Sequence, residues 1–249
     1  MKADPTPESE PSVCAVIVTY RPDPIVLERS IAALIPQVDG ILVVDNGSPA
    51  ETVVRLRHLP DPCRLLENDR NFGVGAAQNR GIRWTAKRGF SHVLLLDQDS
   101  FAEPRMVAML MMHGRRIAAR TDRPAVVGPC ILDPRSGHHL PFVTFGRFFV
   151  QRRWCCSPTD RPTGVPTDFL IASGMLVPQI VSERVGPMDE GFFVDNTDLE
   201  WCFRARNLGV SLFGICGARL RHHLGDRVTR LNIGPGVTVF RHTPLRQYY

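Results

Sequence analysis

Two aspartates one residue apart, Asp97 and Asp99, close the apolar run Val93-Leu94-Leu95-Leu96. Side chains alternate along an extended chain, so residues two apart point the same way. Two carboxylates on one side favour a cation between them, and hard oxygen ligands suit Mg²⁺ or Mn²⁺. The same residues also suit a strand end followed by a helix cap at Asp99 or Ser100. Taken alone, the stretch supports both readings. A second acidic cluster is Asp195-Asn196-Thr197-Asp198-Leu199-Glu200-Trp201-Cys202-Phe203-Arg204. Asp198 suits a helix N-terminus, where the helix dipole stabilises a carboxylate. It also suits a general base that takes a proton from a substrate hydroxyl. Glu200 and Arg204 are four apart and can form an ordinary helix ion pair. His222 and His223 follow the last clear strand, and a neutral imidazole can complete a metal site begun by carboxylates.

Polar groups recur at other strand ends. Thr19-Tyr20 and Asp45-Asn46-Gly47-Ser48 both follow apolar runs. Asp45 can accept the imide N–H of uracil or thymine while Asn46 fixes the turn, although Asp-Asn-Gly-Ser is also plain turn chemistry. Asn71-Phe72-Gly73-Val74-Gly75 precedes a helical pattern, but Gln78 occupies the third glycine position of a dinucleotide fingerprint. Those glycines admit either a ligand or a closely packed neighbour.

The elements that must position these groups alternate. Val13 to Thr19, Ile41 to Val44, Cys63 to Glu67 and the run before Asp97 read as buried strands. Between them, Ile25 to Gln37, Ala50 to His58 and Asn71 to Arg88 read as helices, and Pro104 to Arg120 follows as a Met-rich helix. This alternation predicts a mainly parallel sheet with helices on both faces. Ligands bind such sheets at the carboxyl ends of the strands. The second half is less regular. Ala125 to Leu132 reads as a strand leading into a hairpin turn, Gln151 to Pro166 as a loop, and Asp168 to Val177 as a strand interrupted at Ser173-Gly174. Thr197 to Leu208 reads as a helix closed by Gly209, and Ser211 to Leu220 as a last strand.

The chain has 249 residues, enough for one large α/β domain and marginal for two. Hydrophobic residues at 43% and charged residues at 22% fit an ordinary soluble globular protein. No apolar run approaches the ~20 residues that span a bilayer. Residues 1–12 are polar and Pro-rich without an apolar signal core, and read as a disordered tail. Seven cysteines show no zinc-type spacing, so idle or buried thiols in a reducing cytoplasm are expected. The net charge of +5 rests almost wholly on arginine, since Lys2 and Lys87 are the only lysines. Guanidinium forks hold oxyanions bidentately. The basic residues form no aromatic-interleaved stripe, so no nucleic-acid partner is expected. A nucleotide diphosphate or an anionic membrane surface fits better, and genome composition alone can also produce an arginine bias.

In order along the chain stand VIVTY (Val16–Tyr20), VVDNGS (Val43–Ser48), N-F-G-x-G-x-A-x-N-x-G (Asn71–Gly81) and LLLDQDS (Leu94–Ser100). They are followed by SGM (Ser173–Met175), GPMDEGFFVD (Gly186–Asp195), DLEWCFR (Asp198–Arg204) and HHLGD (His222–Asp226). This series resembles the inverting family 2 glycosyltransferases of GT-A fold. DQDS, DLEWCFR and the closing HTPLRQYY look most like bacterial rhamnosyltransferases that use dTDP-L-rhamnose. The resemblance implies one GT-A domain over 13–249, with a nucleotide-binding half at 13–125 and an acceptor and catalytic half at 126–249. It implies Mg²⁺ or Mn²⁺ at Asp97, Asp99 and His222, with Asp99 in direct contact and Asp97 serving ribose or metal. The neighbouring His223 competes for the role of His222. Asp198 becomes the catalytic base, while Thr197 stands where many members carry another acid. Thr19, Tyr20, Asp45, Asn71, Gly73, Asn79 and Asp97 fall on the donor side, and Ser173, Gly174, Glu200 and Trp201 on the acceptor side. The expected reaction moves L-rhamnose to a hydroxyl of a saccharide or lipid-linked saccharide in cell-surface polysaccharide synthesis. A cytoplasmic location follows, with peripheral contact at the inner membrane face through the C-terminal arginines. Relatives continue past HTPLRQYY into a further helical segment, so a shortened C-terminus is expected. The alternatives are a UDP-sugar donor, a nucleotidylyltransferase or a non-catalytic binding module. Tyr20-Arg21-Pro22-Asp23 lacks the Gly-rich loop of a nucleotidylyltransferase.

Overall fold

The computed structural model describes residues 10–155 and 164–222, and the backbone of the strands Arg227–Leu231 and Val237–Arg241. The first half alternates as the apolar runs predict. β1 (Val13–Thr19), β2 (Gly40–Asp45), β3 (Cys63–Glu67) and β4 (His92–Asp97) are separated by α1 (Pro24–Leu34), α2 (Ala50–Leu56) and α3 (Val74–Lys87). Asp23 caps α1 by accepting hydrogen bonds from the Ile25 and Val26 N–H groups, with Pro24 at the first helical position. That cap turns the chain sharply out of β1. The strands β5 (Phe101–Ala102), β6 (Ala125–Asp133), β7 (His138–His139), β8 (Phe142–Phe145) and β9 (Val150–Arg153) follow, with α4 (Met106–Thr121) after β5. The last elements with described side chains are β10 (Val165–Thr167), β11 (Leu176–Pro178), α5 (Gln179–Val185), α6 (Thr197–Asn207) and β12 (Ser211–Arg221).

The principal sheet runs β10-β12-β6-β11-β4-β1-β2-β3. β1 pairs in parallel with β2 and β4, β2 with β3, and β12 with β6. β11 is antiparallel to both β4 and β6, so β6 and β12 point the same way as β4. The carboxyl ends of β1, β2, β4, β6 and β12 therefore open on one edge. β1 shows why the sheet carries helices on both faces. Val13, Ala15 and Ile17 enter one core with the buried faces of α1 and α4, and Cys14, Val16 and Val18 enter another with α3 and α6. A Cβ on Gly81 would lie 2.3 Å from Val16 Cγ1, so this glycine sets the close approach of α3 to β1.

The structure departs from the sequence expectation in the second half. The expected strand Asp168 to Val177 is strand only at its end, where β11 begins at Leu176; β10 precedes it, and the residues between them turn through Ser173 and Gly174. The expected loop at Gln151 begins as β9, which pairs with β8 in a separate two-stranded sheet. α5 was not anticipated either. Cys155 is joined to Cys216 in a disulfide, which corrects the expectation of idle thiols, and Cys14, Cys63, Cys130 and Cys202 are free and buried. Among the described residues no helix is long and apolar enough to cross a membrane.

Candidate active site

Asp97 ends β4, and the next residues turn across the sheet edge. Two residues beyond Asp99 the chain enters β5, which pairs with β12 through Ala102 to Leu220 and Phe101 to Arg221. That crossing lays the Asp97-Gln98-Asp99 segment against the end of β12, where His222 follows. The His222 N–H bonds the carbonyl of Leu132 at 3.1 Å, fixing this residue to β6. Its Nε2 lies 3.5 Å from Asp97 Oδ2 and its Nδ1 3.3 Å from Asp99 Oδ1. One ligand atom from each of the three residues falls within 4.8 Å of the others. Two carboxylates and an imidazole so placed are a donor set that fits Mg²⁺ or Mn²⁺.

The turn between β10 and β11 supports the carboxylates. Gly174 carries φ +90° there, and its N–H bonds Leu95 O at 2.8 Å. The preceding Ser173 Oγ donates to Asp97 Oδ2 at 2.7 Å and accepts the Asp97 N–H at 3.1 Å. Ser100 Oγ lies 2.9 Å from Ser173 Oγ and 3.2 Å from His222 Nδ1. One residue before Ser173, the Ala172 N–H donates to Asp198 Oδ2 at 3.0 Å. Asp198 Oδ1 accepts from the Leu199 N–H at 2.8 Å. Consecutive residues thus hold Asp97 and Asp198. Burial pushes the Asp198 carboxyl up to about 6 from an ordinary 3.8, the Ala172 and Leu199 N–H groups oppose that rise, and the Asp97 charge adds to it. Burial works against the charged form of His222, but the hydrogen bond with Asp99 and the charges of Asp97, Asp99 and Asp133 outweigh it and raise its pKa. Removing the Ser173 hydroxyl should free Asp97 to reorient. Ser173→Ala is expected to weaken Mn²⁺ binding about 10- to 100-fold with little change in the thermal midpoint, as titration calorimetry and a melting curve will show.

Of the residues expected on the donor side, Thr19, Tyr20, Asp45, Asn71 and Gly73 gather at the ends of β1 and β2. Asp45 is 0% exposed. Its Oδ1 accepts from Thr19 Oγ1 at 3.1 Å and Ser48 Oγ at 2.5 Å, and its Oδ2 from the Ser48 N–H at 2.9 Å. The carboxylate therefore organises the β1 and β2 ends in this conformation. Tyr20 is exposed, and its N–H bonds Gln98 Oε1 at 2.8 Å, which links the end of β1 to the Asp97–Asp99 turn. Asn71 Oδ1 accepts from Asn46 Nδ2 at 2.8 Å and the Gly73 N–H at 2.9 Å. Gly73 adopts φ +89°, and a Cβ there would lie 2.5 Å from Phe193 O. Its close approach is thus to the segment leading into α6. Asn79 is committed as well, donating to Met188 O and Glu190 Oε1 and accepting from the Met188 N–H. It ties α3 to that same segment.

Asn46, expected to fix the turn, is the hub of this corner and reaches beyond its own turn. Its amide also donates to Gly73 O and accepts from Asn68 and Phe72. The Asp-Asn-Gly-Ser turn signal was the available clue.

Two expected acceptor-side residues do other work. Trp201 is 1% exposed and its indole N–H donates to Gly186 O at 3.0 Å, so it is a core residue. Glu200 is held by Arg204 through two 2.8 Å bonds, and Arg204 also donates to Val185 O and Pro187 O. Ser173 faces Asp97, and Gly174 sits where a Cβ would meet Pro129 Cγ at 2.5 Å. His223, Asp226 and the HTPLRQYY stretch lie outside the described residues. Of the C-terminal arginines, Arg221 pairs with Glu103 at 3.2 Å.

Residues 14–136 match the family model described as glycosyl transferase family 2. The chain carries a glycosyl transferase family 2 domain. This glycosyltransferase is 29% identical to dTDP-rhamnosyl transferase RfbF of Shigella flexneri over 96% of the present chain and 77% of the relative. It is 27% identical to the N-acetylglucosaminyl-diphospho-decaprenol L-rhamnosyltransferase of Mycobacterium tuberculosis, covering 84% of the present chain and 75% of the relative. A crystal structure of GalNAc-T7 with UDP, GalNAc and Mn²⁺ superposes at a TM-score of 0.66 with 15% identity, over 87% of this glycosyltransferase. The present chain spans 44% of the length of that protein. The expected GT-A fold is borne out by this likeness and by the parallel sheet with helices on both faces.

Proposed function

We propose that this glycosyltransferase moves L-rhamnose from dTDP-L-rhamnose to a hydroxyl of a saccharide or lipid-linked saccharide, with inversion at the anomeric carbon. The observation that carries this reading is the Ala172–Ser173 step. It holds a carboxylate of raised pKa, Asp198, beside the carboxylates suited to a cation. A general base and a diphosphate site must lie this close for single-displacement transfer. Asp198 accepts the proton of the acceptor hydroxyl, and that oxygen attacks the anomeric carbon from the face opposite the diphosphate. The diphosphate departs as an anion, so the leaving group needs positive charge rather than a proton donor. Asp97, Asp99 and His222 would hold a divalent cation that supplies this charge. Tyr20, the Asp45 turn and the Asn71–Gly73 corner would bound the nucleotide.

The donor assignment is supported by the names of the two relatives, and the lipid-linked acceptor by the decaprenol of the second. With Mn²⁺ present, dTDP-L-rhamnose is expected to raise the melting temperature more than UDP-glucose or UDP-galactose does. A ligand at ~100 times its Kd stabilises the folded state by about 2.7 kcal/mol. A larger shift with a UDP-sugar would reassign the donor.

A further inference from the structure

Exposed aromatic side chains are concentrated on one hairpin of this molecule. β8 and β9 form a sheet of their own, joined through Gly146-Arg147-Phe148-Phe149. At the tip Phe148 is 86% exposed and Phe149 64%, with Val150 at 44% next to them, and Trp154 at the base end of β9 is 52% exposed. Contiguous apolar exposure of this kind marks a partner or membrane surface. Three arginines flank the aromatics, Arg147, Arg152 and Arg153, and no acidic residue occurs from Leu140 to Cys155. None of the ion pairs among the described residues engages these three. The Arg147 guanidinium lies 5.4 Å from the Phe148 ring centroid.

The base of the hairpin is firmly tied. Val143 bridges to Phe169, and Val143 O accepts from the Asp168 N–H at 2.8 Å. The Phe145 N–H donates to Asp168 Oδ2 at 2.7 Å, and its ring meets Phe203 at 5.5 Å. The disulfide from Cys155 to Cys216 fastens the chain just after β9 to the main sheet. The tip is therefore presented on a braced support, while its base lies just ahead of the Ala172–Ser173 step.

We propose that the β8–β9 hairpin docks this enzyme on an anionic bilayer. Phe148 and Phe149 enter the boundary between headgroups and acyl chains, and Arg147, Arg152 and Arg153 face acidic headgroups. Aromatic rings favour that boundary. Each arginine near an anionic surface strengthens partitioning roughly fivefold, and salt weakens the effect. Charge argues against a second copy of the chain as the occupant, because a two-fold contact through this tip would bring the same arginines together. Docking here rests on surface chemistry alone and holds whatever the donor proves to be.

The test uses the full chain with vesicles of phosphatidylcholine, alone or mixed with phosphatidylglycerol, at low and high salt. Co-sedimentation should be strong only with the anionic vesicles at low salt. Phe148→Ser with Phe149→Ser should weaken it at least about tenfold, and Arg147→Glu with Arg152→Glu should abolish it. Melting temperature and turnover of a soluble acceptor should be unchanged in both variants. In a Phe148→Trp variant, emission from the added tip tryptophan should shift to the blue on binding and be quenched by brominated acyl chains beyond the signal of Trp84, Trp154 and Trp201 in the wild-type chain, which keeps the test decisive if another variant folds poorly. Absence of binding to anionic vesicles, or equal binding by the Phe148→Ser, Phe149→Ser variant, overturns the proposal. So does a wild-type dimer that this variant dissociates without any vesicle binding, which would assign the surface to a second copy.

Discussion

Asp198→Asn is expected to lower kcat by about 10²- to 10⁴-fold, the usual contribution of a general base. The amide keeps the size of the side chain, so donor affinity should stay within about twofold of wild type. Titration with dTDP in the presence of Mn²⁺ checks the second half of this expectation. The pH profile provides an independent check. Asp198 works as a base only when ionised, and burial has pushed its pKa up to about 6. The kcat/KM of the wild-type enzyme should therefore fall about tenfold per pH unit below that value and level off above it. The linked effect on stability has the opposite sense. A carboxyl whose folded pKa is raised contributes stability that is present below its unfolded pKa and lost as pH rises through the folded one. The melting temperature of Asp198→Asn should accordingly gain on wild type between about pH 4 and pH 7. Near-normal turnover of the variant would move the base elsewhere. Asp195 would then come first, since Glu200 is engaged by Arg204.

Asp99→Ala is expected to abolish Mn²⁺-dependent binding of dTDP. The loss should exceed the about 10- to 100-fold that removal of a supporting partner such as Ser173 costs, because a hard ligand and its charge both disappear. His222→Ala should weaken the same step. The proton on His222 competes with the cation, and its pKa is raised by the neighbouring acids despite burial. Mn²⁺ affinity should therefore decline as pH falls through neutrality. Calorimetric titration of chelator-treated protein at several pH values measures this. Donor binding and turnover that are equal with and without chelator would contradict the role assigned to Asp97, Asp99 and His222.

The first half is legible because β1, β2 and β4 are buried on both faces and read as continuous apolar runs. Val13–Thr19 and Val93–Leu96 are examples, and the polar groups that close them fall on one edge once the strands are parallel. Asp97 and Asp99 were found by that logic. The meeting of His222 with them was suggested by family resemblance and not by spacing. It depends on β5 crossing to β12, a two-residue pairing that leaves no periodic trace. The contact of Ser173 with Asp97 spans 76 residues of chain and follows from the antiparallel insertion of β11, which three residues cannot announce. The resemblance puts Trp201 on the acceptor side, whereas α6 turns that side chain into the core. β9 falls at the start of the expected loop because Val-Gln-Arg-Arg is short and mostly exposed, with no buried apolar face to signal a strand.

Single-displacement transfer from a nucleotide diphosphate sugar is tested most directly by nuclear magnetic resonance of a reaction containing the enzyme, Mg²⁺, dTDP-L-rhamnose and a saccharide acceptor. dTDP should be released in step with a new glycosidic bond whose anomeric configuration is opposite to that of the donor. Pyrophosphate in place of dTDP, or a product that keeps the configuration of the donor, would contradict it.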